Sequence, residues 1–441
     1  PSSPTSTAYI RVVDINTIVS TSTLDVIEYI NGLKDNIQNN TDRITVLELN
    51  NSNYVELRKY INRKTSERVT KHLGRPLDNS DVPFFNMVVA SDFHSEIKPL
   101  DIIAKFTSDS TMANASISLI HSCGDMATQG NTITKASLLQ KIAKNLACFD
   151  GITVPWLCCQ GNHDYNWECA ERGGTYLNEV PTDAEIRAAL YNNLYNRLSV
   201  AQKNNWHFPS DNPTALYYYY DIPLHKVRII NLNEYELPRT LVTLDGVQYF
   251  RYVGSDRYYS KTAFQNAGYS DYNGWNTFYS KSQIDWLIET LNATPDDYAV
   301  IFVKHTPWLS SVSSDIVKAY KNRASGQTIV DGLDGADGYT AIYDFTSKTE
   351  SHCMCINGHG HFHKFRQNIN TDTYVLQTPC TGVIDDYNYR FDNDVTMTSA
   401  DILSIDHERR ACSLRFGLVK PLSDLDVDEN GDSYVVNRLQ L

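Results

Sequence analysis

The sequence predicts a mixed α/β domain in which sheets are layered against helices, and three observations point to it. From Phe84 onward, short apolar runs alternate with polar loops and with stretches of helical periodicity. Five of those runs stop at Asp, His or Asn, the arrangement by which an α/β sheet gathers a site along one edge. At 441 residues, 41% hydrophobic and 21% charged, the chain can also bury such a core and still carry appendages.

Taken in order, residues 1–80 form an N-terminal arm of different texture, rich in Asn, Thr, Ser and isolated aliphatics. Heptads counted from Val26 place Val26, Ile30, Leu33, Ile37, Asn40, Ile44, Leu47, Asn51, Tyr54 and Ile61 on a and d positions, with Arg58 as a break. The expectation is a helical, coiled-coil-like segment that makes a homo-oligomer through residues 20–65, a trimer being one option. Asn40 and Asn51 would fix its register. Gly32 and Asn39-Asn40-Thr41 weaken the helix, and two short helices packed on the main domain are the plainer alternative.

Residues 81–441 carry the predicted α/β domain. Residues 87–90 read as a buried strand ending at Ser91-Asp92-Phe93-His94. Residues 116–122 read as a second, ending at Gly124-Asp125, and 154–159 as a third, ending at Gly161-Asn162-His163-Asp164. Between the last two, Leu138, Leu139, Ile142, Ala143 and Leu146 recur at helical spacing and predict a crossover helix. The tyrosines of 217–220 are expected to alternate faces of a strand. Ser280 begins a helix, with a capping box to Gln283 and an inner stripe of Ile284, Leu287, Ile288 and Leu291. Strand 298–303 then ends at Lys304-His305, and strand 352–356 ends at Gly358-His359-Gly360-His361. Two stretches, 241–279 and 309–350, are predicted as long loop insertions that rim the site or else decorate the surface.

Composition narrows the function. With 39 basic and 52 acidic residues the net charge is −13, a field that repels long nucleic acid. No run of about 18 uncharged apolar residues exists to span a bilayer as a helix. Nine cysteines, an odd count in neither zinc-finger nor disulfide-framework spacing, read as reduced and mostly buried thiols. The opening Pro-Ser-Ser-Pro-Thr-Ser-Thr has neither a basic n-region nor an apolar h-region, so no signal peptide is expected and the setting is cytoplasmic or virion-associated. Asp424, Asp426, Asp428, Asn430, Gly431 and Asp432 resemble a calcium loop, but Asn437 stands where the bidentate Glu belongs, which favours an acidic turn.

The strand ends hold the chemistry. In an extended strand end, Asp92 and His94, two apart, would point the same way, and His359 and His361 repeat that spacing. His363 continues the alternation, so either consecutive pair could ligate, with Gly358 favouring the first. Asp125, Asn162 and His305 add three donors from other strands. Seven donors are too many for one ion, and a carboxylate shared by two ions about 3.5–4 Å apart would leave open positions for water and phosphate oxygen. Imidazole, carboxylate and amide together suit manganese, iron, nickel or zinc. His121 and His352 sit within strands and read as core histidines.

The ordered set SDFHS, CGDMA, GNHDY, VKHTP and GHGH resembles the calcineurin-like metallophosphoesterase family over residues 84–420. The resemblance implies a β-sandwich flanked by helices and hydrolysis of a phosphate mono- or diester by water activated between two divalent metal ions. It implies one ion on Asp92, His94, Asp125 and His361, and a second on Asp125, Asn162, His305 and His359. It further implies a non-ligand His163 that protonates the leaving oxygen, and Asp164 would orient that ring. The substrate would be a phosphorylated small molecule or an envelope component. The N-terminal arm resembles a bacteriophage tail-appendage stalk, so the alternative is a structural or host-binding virion subunit carrying a phosphoesterase-fold head.

Overall fold

The computed structural model describes residues 85–94, 117–127, 134–147, 150, 152–236, 240–244, 246–251, 280–295, 297–306, 353–361, 364–368, 373–378, 399–405 and 411–417. The predicted coiled-coil seam, the 309–350 insertion, most of the 241–279 insertion, His352, His363 and the acidic turn at 424–437 lie outside the described residues.

Strands β1 (Phe85–Ala90), β2 (Leu119–Ser122) and β3 (Trp156–Cys158) run parallel, with Met87 opposite Leu119 and Ile120 opposite Trp156. All three are buried throughout, which is why their sequences are nearly continuous apolar runs and not alternating ones. The predicted crossover between β2 and β3 is helix α1 (Lys135–Ala147), which buries Leu138, Ile142 and Leu146 on one stripe. Short helical pieces follow: α2 (Trp167–Arg172), α3 (Asp183–Ile186), α4 (Asn193–Arg197) and α5 (Val200–Lys203). Two of them start on reciprocal capping boxes, Thr182 with Glu185 and Ser199 with Gln202.

Next come β4 (Trp206–His207), β5 (Tyr218–Ile222) and β6 (Val227–Asn231), paired antiparallel in succession. The predicted 241–279 loop does not begin as a loop. β7 (Thr240–Leu244) and β8 (Val247–Arg251) form a hairpin there, with Leu244 opposite Val247 and Gly246 at φ 80° in the turn. An Asp-Gly pair between apolar-rich runs is the local signal for such a turn.

Helix α6 (Lys281–Asn292) starts where expected, but its cap is only half of a box. Ser280 Oγ accepts the Gln283 N–H at 3.1 Å, while the Gln283 side chain turns away to the loop after β6, and Glu236 takes the Ser280 N–H at 2.9 Å. Ile284, Leu287 and Leu291 pack on Ile230, Leu232, Val300, Phe302 and Cys355, covering one face of a sheet. Burying each such aliphatic side chain stabilises the contact by about 1.5–3 kcal/mol.

The remaining strands are β9 (Ala299–Lys304), β10 (Cys353–Asn357), β11 (Lys364–Asn368), β12 (Thr373–Gln377), β13 (Ser399–Ile405) and β14 (Ala411–Gly417). Two larger sheets result, ordered β14-β13-β1-β2-β3 and β11-β12-β10-β9-β6-β5-β4. The fold is mixed α/β, its sheets flanked by helices. Side chains join one sheet to the other: Tyr218 Oη donates to Cys158 O at 2.8 Å and accepts its N–H at 3.1 Å, and Thr378 Oγ1 donates to Val89 O at 3.3 Å. Among the described residues, Cys123, Cys158, Cys159, Cys169 and Cys355 are buried, and no helix is long and apolar enough to cross a membrane.

Candidate metal centre

The loops that leave β1, β2, β3, β9 and β10 meet, and they bring together all seven predicted donors. The geometry that does so is not the extended one expected. Asp92 and His94 have φ of 55° and 50°, Asp125 has 55°, and His359 and His361 have 65° and 57°. Each lies in the left-handed region beyond its strand, so strand alternation does not explain why paired donors converge. Tight reversals of the chain do, at a cost of about 1–2 kcal/mol for each non-glycine residue held this way.

Close approach makes the reversals possible. Gly124 sits at φ 96°, where a Cβ would stand 2.6 Å from His305 Nδ1, and a Cβ on Gly161 would overlap the backbone and carboxylate of Asp125. The loops then lace together through hydrogen bonds. Asp92 N–H donates to Gly124 O at 3.0 Å, Phe93 N–H to Asp125 O at 2.9 Å, and Gly358 N–H to His305 O at 3.0 Å.

Both carboxylates divide their oxygens in the same way. Asp92 Oδ2 accepts the His359 N–H at 2.9 Å, which leaves Oδ1 facing His361 Nε2 at 3.2 Å and His94 Nε2 at 4.0 Å. Asp125 Oδ1 accepts the His163 N–H at 2.9 Å, which leaves Oδ2 facing His305 Nε2 at 3.2 Å and His163 Nε2 at 3.9 Å. A backbone donor fixes each carboxylate, and the second oxygen points into the cluster.

The donor set fits a cation. His305 Nδ1 lies 2.6 Å from Cys123 O, where it donates its proton, and this aims Nε2 inward as the ring atom that could ligate an ion once its own proton leaves. Around that nitrogen stand Asn162 Oδ1 at 3.0 Å, His359 Nδ1 at 3.0 Å and Asp125 Oδ2 at 3.2 Å. Every one of these atoms can offer electrons, and one proton could satisfy only one contact; a positive ion would satisfy them all. Asp125 Oδ2 is buried and accepts no hydrogen bond of good geometry. Among the described residues, three groups of side chains converge closely enough to hold an ion: Asp92, His94 and His361; Asp125, His305 and His359; and His94, Asp125 and His163.

The electrostatics agree. Burial pushes the Asp92 carboxyl up, but the His361 and His305 imidazoles outweigh it and hold it low. Asp125 behaves likewise, with His305 and His163 overcoming burial. Burial works against charge on His305, yet the adjoining Asp125 lifts it to about 10, while burial and then His163 take His94 down to about 4. The centre therefore holds ionised carboxylates, an uncharged His94 and a protonated His305, whose Nε2 proton a bound cation would displace.

The two residues expected to act as a catalytic pair do not form one. His163 lies at the cluster, its ring edge-on to His94 with centroids 4.8 Å apart, but Asp164 does not support it. The Asp164 carboxylate is buried and takes the Gly161 N–H at 3.0 Å and the Ala127 N–H at 3.2 Å, so it ties the loop after β3 to the loop after β2. Burial and then the nearby Asp125 charge raise it to about 7. His121 is a core residue, taken down to about 3 by burial and thus neutral. Sequence reasoning missed a fully buried carboxylate, Glu234, beside the His305 strand. The available signal was Lys304, a cation ending a strand that is otherwise wholly apolar, which demands a buried partner.

No protein-family model matches the sequence, and no curated protein matches it. Among solved structures, the chain is similar to the structure of PhoD, at 13% identity over 77% of this chain and 67% of that one, with a TM-score of 0.43. It is also similar to a conserved uncharacterized protein, a predicted phosphoesterase, from Streptococcus pneumoniae TIGR4, at 8% identity over 80% and 98% of the two chains and a TM-score of 0.29. A third likeness is to a novel phosphatase from Mycoplasma pneumoniae, at 10% identity over 76% and 94%, with a TM-score of 0.31. All three likenesses are remote, and the chemistry of the centre rests on its own geometry.

Proposed function

We propose that this chain is a metal-dependent phosphoesterase that hydrolyses a phosphate mono- or diester. The observation that carries the proposal is the convergence of two groups, Asp92 with His94 and His361 and Asp125 with His305 and His359, with Asp125 also close to His94. A carboxylate so placed is suited to serve two cations. Asp92, His94, Asp125 and His361 would hold one, the outer ion, and Asp125, Asn162, His305 and His359 the other, the inner ion. Two divalent ions bound there, manganese, iron, nickel or zinc, would offset phosphate charge and make water nucleophilic near neutral pH.

The chain's own residues do the rest. Backbone donors fix the direction of both carboxylates, so their geometry need not reorganise when charge develops. His163 is the imidazole best placed to pass a proton to a leaving oxygen: its side chain is 22% exposed, and its Nε2 faces the cluster without sitting in the inner group. Asp164 holds the loop that presents it.

The test is hydrolysis of aryl phosphate monoesters and diesters by protein reconstituted with each of the four metals. Turnover that disappears on chelation and returns on metal addition is expected. If no metal supports turnover of any ester and the apoprotein takes up no ion, the proposal fails.

A further inference from the structure

We infer that Glu234 is a positioning residue for the inner ion, acting on His305 through the two residues that flank it. The inference rests on the phosphoesterase proposal for this centre. Lys304 and Glu234 have side chains fully shielded from solvent, and Lys304 Nζ lies 2.9 Å from Glu234 Oε2 and 3.1 Å from Thr306 Oγ1. Thr306 Oγ1 donates to the same Oε2 at 2.6 Å, and the Thr306 N–H donates to Oε1. One carboxylate thereby grips the side chain just before His305 and both the backbone and side chain just after it.

Glu234 is itself held from two sides. The loop carrying it is joined to α6, where Gln283 Oε1 accepts the Asn233 N–H at 2.9 Å and Gln283 Nε2 donates to Asn233 O at 2.7 Å. Just before it, Leu232 N–H donates to Val303 O at 2.9 Å, extending the β6–β9 pairing. The His305 ring is tied at Nδ1 to Cys123 O and packs against the Tyr235 and His359 rings, so a shift of the backbone at 305 carries Nε2 out of line with Asn162, His359 and Asp125.

A buried ion pair is a poor means of stabilising a strand, since apolar side chains of similar volume serve as well or better. Its distinctive property is directional: a filled set of charge-assisted hydrogen bonds permits one backbone position and few others. Such support beyond the ligands characteristically changes metal affinity by 10–100-fold.

The experiment titrates apoprotein with Mn²⁺ alone, by calorimetry, beside a thermal melt of each apoprotein. Thr306→Val removes one hydroxyl while leaving Glu234 and Lys304 paired. A Glu234→Gln/Lys304→Met double variant removes both buried charges together, so neither is left unpaired. The expected result is two ions in wild type, and in each folded variant one site weakened about 10-fold or more with the other within about twofold. Thr306→Ser should restore the weakened site. A bystander ion pair would lower the melting temperature and leave both affinities alone; two sites within about twofold of wild type in both variants therefore overturn the inference while sparing the phosphoesterase proposal. Wild type that binds no ion overturns both.

Discussion

The centre divides into an inner and an outer half built from the same kinds of side chain in different surroundings. The inner half, Asp125, Asn162, His305 and His359, is buried throughout. In the outer half Asp92 and His94 are buried, but the His361 side chain is 24% exposed and His163 is 22% exposed. Charges act with greater effective strength where water is excluded, so on the proposed function the inner group would be the better ion trap, and the outer group would be the side on which a solvated phosphate arrives. Similar side chains would then hold on one side and work on the other because of depth.

Asp125→Asn is the severest way to break that comparison, because one side chain is asked to serve both halves. The expected loss in kcat/KM is on the order of 10³-fold or more, with reduced content of both ions by elemental analysis. Full content of both ions would mean that the halves do not share this carboxylate. His163→Ala should touch the outer half only. Its kcat should fall roughly 10²–10⁴-fold with ion content unchanged, and the deficit should be larger for alkyl esters, whose leaving oxygen needs a proton, than for nitrophenyl esters. Loss of an ion instead would make His163 a ligand, in keeping with its grouping beside His94 and Asp125.

The mildest change belongs to neither half. Burial raises Glu236 from an ordinary 4.5 to about 7, although Ser280 and Gln283 donate to it. The unfolded chain releases this proton near pH 4.5 and the folded chain near pH 7, so stability is fully present below the first value and declines until the second. Glu236→Gln should therefore melt like wild type at pH 4 and several degrees higher at pH 8, with ion binding unaltered. A melting temperature below wild type at both pH values would refute the assignment.

Much of this architecture was written locally. The strands that end at Asp92, Asp125, Asn162, His305 and His359 were legible because a buried parallel strand must be apolar and its polar stop is abrupt. The insertion of β13 beside β1, with Leu403 opposite Met87, was not, since residues that far apart in sequence carry no local mark of pairing. The left-handed turns were also invisible, because Asp and His tolerate that backbone without requiring it. Asp164 was misassigned for a related reason: its neighbour in sequence is a histidine, but its bonding partners are two amides, one of them 37 residues away.

Those left-handed turns have a consequence for what could ever replace these side chains. Aspartate and histidine are among the few residues that accept such a conformation readily, and they are also good ligands for divalent cations. The skeleton thus filters the alphabet before the ion does. A valine, isoleucine or threonine introduced at Asp92, His94, Asp125, His359 or His361 would pay twice, once in coordination and once in torsional strain. Converting the site to thiolate ligation would require new turns as well as new sulfur.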